Sequence, residues 1–220
     1  MDVSSLAAAV FPAADSPCRA CLGTTTSKHW PAPPHGPLSG LRADVLMIGW
    51  NPQIGEYEPP PPSAEAWIQH GESKARDAAE YFWWLFGHRD APAAEREFCL
   101  QRRIVNTRMW RWPGVAGKYR PEDRAAGWSC ANAHLLDEIR IAQPKVILTY
   151  NDQAAAFIAV QPQVPASNPL GGASHKVVRG WIAESNPWGF NVRIILASGS
   201  KARSRQDRLM IRAAARECLL

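Results

Sequence analysis

The chain has 220 residues, of which 46% are hydrophobic, and a net charge of +5. That length suffices for one compact domain with a full core, or two very small ones. No apolar run approaches the roughly 20 residues of a membrane span. "LAAAVF" near the start follows Asp2 rather than a basic segment, so no signal peptide is expected and the default compartment is the cytoplasm.

The charge is uneven. Residues 1–100 carry 7 Lys/Arg against 12 Asp/Glu, and residues 101–220 carry 18 against 8. A basic half suits a polyanion, with nucleic acid the first candidate, although a solubilising surface has the same composition. Ten tryptophans are many for this length. Most belong to a core, yet aromatics beside arginines also suit base stacking. Five cysteines, an odd number, argue against a secreted disulfide framework.

Residues 1–40 are rich in Ala, Pro and Gly, with "WPAPPHGPLSG" reading as loop, and predict an irregular arm packed on a domain spanning 41–220. "DVLMIGW" (44–50) is a short continuous apolar run, the pattern of a strand buried on both faces. A proline-rich loop follows. "ARDAAEYFWWLFG" (75–87) reads as a helix closed by Gly87, and "RRIVN" (102–106) as a second strand. After the loop "MWRWPGVAGKYR", Pro121 opens a helix with Glu122 and Asp123 in its first turn, where the helix dipole favours acids. Trp128, Ala131, Leu135, Ile139 and Ala142 recur at helical spacing until Pro144. "KVILTY" (145–150) is a third strand, "DQAAAFIA" a helix, "HKVVRGWIAE" an extra strand, "NVRIILA" (191–197) a fourth core strand, and about 203–218 a basic helix.

Strand–helix alternation of this kind predicts an α/β fold: a three-layer α/β/α domain on a central, mainly parallel four-stranded sheet. Ligands of such sheets bind outside the carboxyl ends of the strands. The residues expected there are Asn51, Asn106, Tyr150-Asn151 and Ser198-Gly199-Ser200-Lys201. Each alone is an ordinary turn or cap residue; together, on one rim with basic neighbours, they favour a site. Asn51 is further constrained. The residue before a proline is pushed toward extended conformations, and Pro52 offers no backbone donor. Asn51 is thereby held at the strand mouth with an amide suited to orienting a water.

"MIGWNPQIG" (47–55) resembles the first motif of the uracil-DNA glycosylase superfamily, in the Gly-x-Asn-Pro form of its mismatch-specific and single-strand-selective branches. "EYFWWLF" (80–86) resembles the Phe-Trp helix of the mismatch branch. "RRIVNTRMWRWPG" and "CANAHLLDEIRIAQPKVILTYNDQAAAFI" (130–158) resemble segments of the iron–sulfur branch. The likeness runs in consistent order over about residues 15–215.

The resemblance implies a monomeric DNA glycosylase of base excision repair. It would flip a deaminated base such as uracil out of DNA and hydrolyse its N-glycosidic bond without a cofactor for the chemistry. Carried over by position, Asn51 orients the water and Asn106 reads the base edge, while Trp50, Pro52 and Gln53 line the pocket with backbone groups. Tyr57 or Trp67 would stack on the base. Ser200, Lys201, Arg203 and Arg205 would meet DNA, with Arg208, Arg212 and Arg216 a stripe at i,i+4 that is either solvated or phosphate-binding. Cys18, Cys21 and Cys130 match three of four ligands of an iron–sulfur cluster, and the remaining position falls on Trp110 instead of a cysteine. Cys99 lies earlier. Cys130 and His134, four apart on one helix, have a spacing that also serves zinc, and equally that of a packed cysteine beside a surface histidine.

The chain departs from the family at two places. Ser198 stands where most members have a histidine or asparagine, and Gln53 where glycine is expected. A divergent homologue that binds nucleic acid without cutting the glycosidic bond is therefore the alternative reading.

Overall fold

The computed structural model describes residues 43–50, 82–83, 93–102, 104–109, 121–161, 179–183, 188–197 and 205–220. Val45–Gly49 forms β1, and all five of its residues are buried. Helix α1 follows at Ala93–Leu100, β2 at Ile104–Arg108 and the long helix α2 at Pro121–Ala142. Then come β3 (Val146–Thr149), α3 (Asp152–Ala159), β4 (Arg179–Ala183), β5 (Val192–Leu196) and α4 (Arg205–Glu217).

The strands lie in the order β2-β1-β3-β5-β4. Three parallel strands, β1, β3 and β5, form the centre, with Val45 level with Val146 and Val146 level with Arg193. β2 joins β1 in parallel, whereas β4 runs antiparallel along β5. The continuous apolar runs read from the sequence suit strands covered on both sides, and the side chains divide accordingly. Leu46, Ile48, Ile147, Ile194 and Leu196 share one core with Cys130, Ala131, Leu135 and Ile139 of α2 and Ala154, Ala155, Phe157 and Ile158 of α3. Val45, Met47, Val146, Leu148 and Ile195 share the other with Cys99 of α1 and Ile211 and Ala215 of α4. Each fully buried aliphatic side chain of this kind contributes about 1.5–3 kcal/mol. The expected α/β architecture, a parallel sheet with flanking helices, is present.

Several elements differ from the sequence reading. Helix α1 was not anticipated: its apolar residues Phe98, Cys99 and Leu100 crowd into its last turn, and Ala93 and Ala94 are exposed, so no long apolar stripe marks it. β2 was expected to end at Asn106 and instead continues to Arg108. The polar Thr107 is accommodated because its hydroxyl donates to the Glu138 carboxylate of α2 at 2.7 Å in the buried interior. α2 ends before Pro144 as expected, through Gln143 in a left-handed turn (φ 40), whose N–H donates to the Ile139 carbonyl at 2.9 Å. α3 has the bounds read from the sequence. The N-terminal arm (1–40) and most of the helix expected at 75–87 lie outside the described residues. Among the described residues, no helix is long and apolar enough to cross a membrane.

Candidate functional site

β1 leads to β2 on one side of it, and the chain then crosses back to β3 on the other. The carboxyl ends of β1 and β3 therefore face a topological switch point, the place in an open α/β sheet where a ligand crevice forms. The backbone is held closely there. Tyr150 N–H donates to the Ile48 carbonyl at 3.1 Å, and Met109 N–H to the Gly49 carbonyl at 2.8 Å.

Two aromatic side chains brace this mouth from opposite faces of the sheet, each against a glycine. Trp50 is 3% exposed and belongs to the core under α2. Its ring lies so close to Gly127 that a Cβ there would sit 2.8 Å from Trp50 Cζ3. Tyr150 packs on the α1/α4 side and is half-buried. Its ring end lies over Gly49, where a Cβ would sit 2.6 Å from Tyr150 Cζ. Both glycines are needed for space: real Cβ atoms do not approach other carbons so closely.

Asn51 is the next residue after Trp50 and lies outside the described residues, as do Pro52, Gln53, Tyr57 and Trp67. The buried Trp50 indole is packing, which leaves only its backbone for a pocket, as the resemblance implied. Asn106 does not end its strand. It is level with Met47 in the register, and Arg108 is the β2 residue level with Gly49. Asn151 is a helix cap: its backbone is extended (φ −146, ψ 145) and its side-chain oxygen accepts from Gln153 N–H at 2.8 Å. The cap reading holds for this one of the four rim positions.

The β5 end is anchored by the last residue of β3. Thr149, fully buried, donates its hydroxyl to the Ala197 carbonyl at 3.2 Å and accepts from Ala197 N–H at 2.9 Å. This fixes the chain immediately before Ser198. Ser198, Ser200, Lys201 and Arg203 lie outside the described residues, and Arg205 opens α4.

The arginine stripe of α4 turns inward rather than into solvent. Arg208, Arg212 and Arg216 are all half-buried. The Arg212 guanidinium lies 5.8 Å from the centre of the Trp83 ring, and that of Arg216 lies 4.8 Å from the Phe98 ring, which Arg102 also approaches at 4.1 Å. Cation–π contacts of this kind occupy two of the three arginines within the fold. A solvated stripe is therefore not what these residues form.

Cys130 is 1% exposed, among Ala131, Leu135 and Phe157 in the α2/α3 core, and His134 is half-buried. Among the described residues, no group of three or more His, Cys, Asp or Glu side chains is placed to hold a metal. Cys18, Cys21 and Trp110 lie outside them. Cys99 is buried in the core on the opposite side of the sheet from Cys130. A cluster joining those two would have to pass through the sheet, so Cys99 does not substitute for the absent ligand.

Thr149 and the Thr107–Glu138 pair are the additions to the sequence-predicted set, in which Tyr150 already stood at the rim. The only sequence signal for them is a hydroxyl at the end of an otherwise aliphatic strand. A scan against protein-family models finds none that matches the chain, and none of the curated proteins matches it.

Proposed function

We propose that the chain is a DNA glycosylase with a three-layer α/β/α domain of the uracil-DNA glycosylase kind, acting on uracil or a related deaminated base in DNA. One observation carries the reading. The strand "VLMIG" is buried throughout and ends at the β1/β3 switch point, where an open α/β sheet presents its ligand-binding residues, and Asn51 follows it by two residues in the sequence.

The chemistry asks little of that residue. Departure of the base anion leaves an oxocarbenium-like sugar, as in other glycoside cleavages, and a positioned water suffices to trap it. An amide is too weak a base to activate water strongly, but it can both donate and accept hydrogen bonds and so orient one. Asn106 has the same amide chemistry, which can pair with a base edge through a carbonyl and a ring N–H. Asn106 lies two residues before the end of β2. No metal or organic cofactor enters these steps.

The second reading, a non-catalytic nucleic-acid-binding homologue, is favoured by Ser198. A histidine donor to the leaving base, by analogy with oxyanion-hole donors, supplies about 3–4 kcal/mol of barrier lowering.

The test is incubation with single- and double-stranded oligonucleotides carrying uracil, hypoxanthine, xanthine or a mismatch, followed by alkaline cleavage of abasic sites. The glycosylase reading expects strand breaks with at least one base. It also expects Asn51→Ala to lose most of that activity while binding the same oligonucleotide normally. Salt-sensitive DNA binding with no breaks for any base would establish the second reading instead.

A further inference from the structure

We propose that Arg208 is the one arginine of the α4 stripe that meets a nucleic-acid phosphate. The inference rests on the nucleic-acid-binding reading above, in its catalytic or its non-catalytic form, for naming the anion.

Burial comes first. Ile211, Ala215 and Leu219 make up the inner face of α4 and the turn after it, at 0, 1 and 5% exposed. Helical spacing puts Arg208 on the same face, one turn nearer the start of the helix. A column of apolar residues therefore ends in a cation. The side chain is half-buried, and its Nε is shut off from solvent with no hydrogen-bond partner. Of the guanidinium nitrogens Nε alone is so enclosed, and the two terminal ones reach solvent.

Position comes second. Arg193 of β5 donates to the Ala214 carbonyl at 2.8 Å, which sets the end of α4 beside the start of β5. Arg208 lies roughly 9 Å along the helix axis before Ala214, and β5 rises about 10 Å from Arg193 to Leu196. Arg208 thus stands about level with the carboxyl end of β5. Long helical side chains lean toward the start of their helix. That lean carries the guanidinium toward the carboxyl edge, where open α/β sheets take their ligands.

Charge is the third point. Arg212 and Arg216 have partners in the fold, the Trp83 ring at 5.8 Å and the Phe98 ring at 4.8 Å. Among the described residues, no ring, carboxylate or carbonyl is placed to take up the charge of Arg208. A half-buried guanidinium without an acceptor destabilises a fold, and an aliphatic residue would continue the inner face without that cost. A phosphate suits the position, because it accepts two parallel N–H bonds from one guanidinium.

The test reads affinity for an undamaged duplex oligonucleotide across salt, in wild type, Arg208→Gln, Arg208→Lys, Arg212→Gln and Arg216→Gln. Each phosphate neutralised contributes about −0.9 to the slope of log K against log salt. Arg208→Gln should therefore flatten the slope by about 0.9. The ratio of wild-type to variant affinity should then shrink about 3.5-fold between about 50 and 200 mM salt. Arg208→Lys keeps a charge and should keep the slope. Arg212→Gln and Arg216→Gln should also keep the slope but lower the urea midpoint, because their partners lie inside the fold. Arg208→Gln should keep the wild-type midpoint.

A wild-type slope in folded Arg208→Gln, or an equal flattening in Arg212→Gln or Arg216→Gln, overturns the assignment. A glutamine variant at 208 that loses its fold overturns it too, since the arginine would then be structural. Cleavage of a uracil-bearing oligonucleotide alongside an unchanged slope in Arg208→Gln removes the contact and leaves the glycosylase reading. An Arg208-dependent slope without cleavage of any oligonucleotide keeps the contact and removes the glycosylase reading. No salt-dependent DNA binding by the wild type overturns the contact together with the reading it rests on.

Discussion

Thr149→Val is the substitution that tests how the β3 and β5 ends are joined. The backbone ladder between these strands has Leu148 and Ile195 as its last register pair. The Thr149 hydroxyl then takes over, donating to the Ala197 carbonyl and accepting from its N–H, with both residues fully buried. Valine has nearly the same shape and no hydroxyl. It would leave one N–H and one carbonyl without that partner in a place water does not reach. An orphaned buried group costs about 1–3 kcal/mol, and the N–H is the costlier of the two because a carbonyl is more often tolerated under-satisfied. The expected loss is therefore about 2–4 kcal/mol, a large part of a typical domain stability of about 5–15 kcal/mol. Thr149→Ser keeps both bonds and removes one methyl group, for about 1 kcal/mol. Urea titration should rank wild type above Ser and Ser above Val, with the slope of the transition unchanged. A valine variant as stable as the serine variant would refute the argument, because packing alone would then account for Thr149.

Gly127→Ala should destabilise, although alanine normally gains about 1 kcal/mol over glycine inside a helix. The new Cβ would meet the Trp50 ring, and overpacking costs about 1–3 kcal/mol; a melting temperature at or above wild type would contradict this. Gln143→Gly should stabilise by about 0.5–1 kcal/mol, since φ 40 is a left-handed conformation that suits glycine; a lower urea midpoint would count against it. Burial pushes the Cys218 thiol up from its ordinary value of 9.0, opposed by nearby Arg193 and reinforced by Glu217. A raised folded value means that the stability from this group is complete below the unfolded thiol pKa and is lost as pH rises through the folded one. As pH rises from about 8, wild type should thus lose more stability than Cys218→Ala, and parallel curves for the two would exclude the effect.

What the sequence disclosed and what it hid follow from how far each cause lies along the chain. The central strands were legible because a strand covered on both faces needs a continuous apolar run, and "DVLMIGW", "KVILTY" and "NVRIILA" are such runs. α3 was legible to the residue because its cap, Asn151, and its alanines are local. β2 was misjudged by two residues because Asn106 and Thr107 look like a stop. The partner that lets Thr107 stay in a strand is Glu138, 31 residues later on α2. Gly127 looks like a weak point in a helix until Trp50 is seen against it, and Gly49 looks like an ordinary turn glycine until Tyr150 is seen above it. Of the site, the end of β1 was legible, and so was the cap at Asn151. That Tyr150 lies against Gly49 was not, because contact across the sheet leaves no periodic trace.

The α4 arginines show how a helical pattern can mislead about function. Spacing alone makes Arg208, Arg212 and Arg216 a single basic edge, attractive for phosphates. In the fold, Arg193, second residue of β5, donates to the Ala214 carbonyl and to Glu217 at 2.8 and 2.6 Å. That bond sets the end of α4 beside the start of β5, so Arg216 belongs to the amino edge of the sheet, opposite the mouth of β1. There it lies over Phe98, and Arg212 over Trp83. A polyanion at the carboxyl edge would have to be held mainly by residues nearer the start of α4 and just before it, where Lys201, Arg203 and Arg205 stand in the sequence. Fewer cations at the crevice mean fewer released counterions and a shallower dependence of affinity on salt than the whole stripe would produce. Net positive charge in this half of the chain therefore overstates the charge that the proposed nucleic-acid reading could draw on at the carboxyl edge, because Arg212 and Arg216 are held against Trp83 and Phe98.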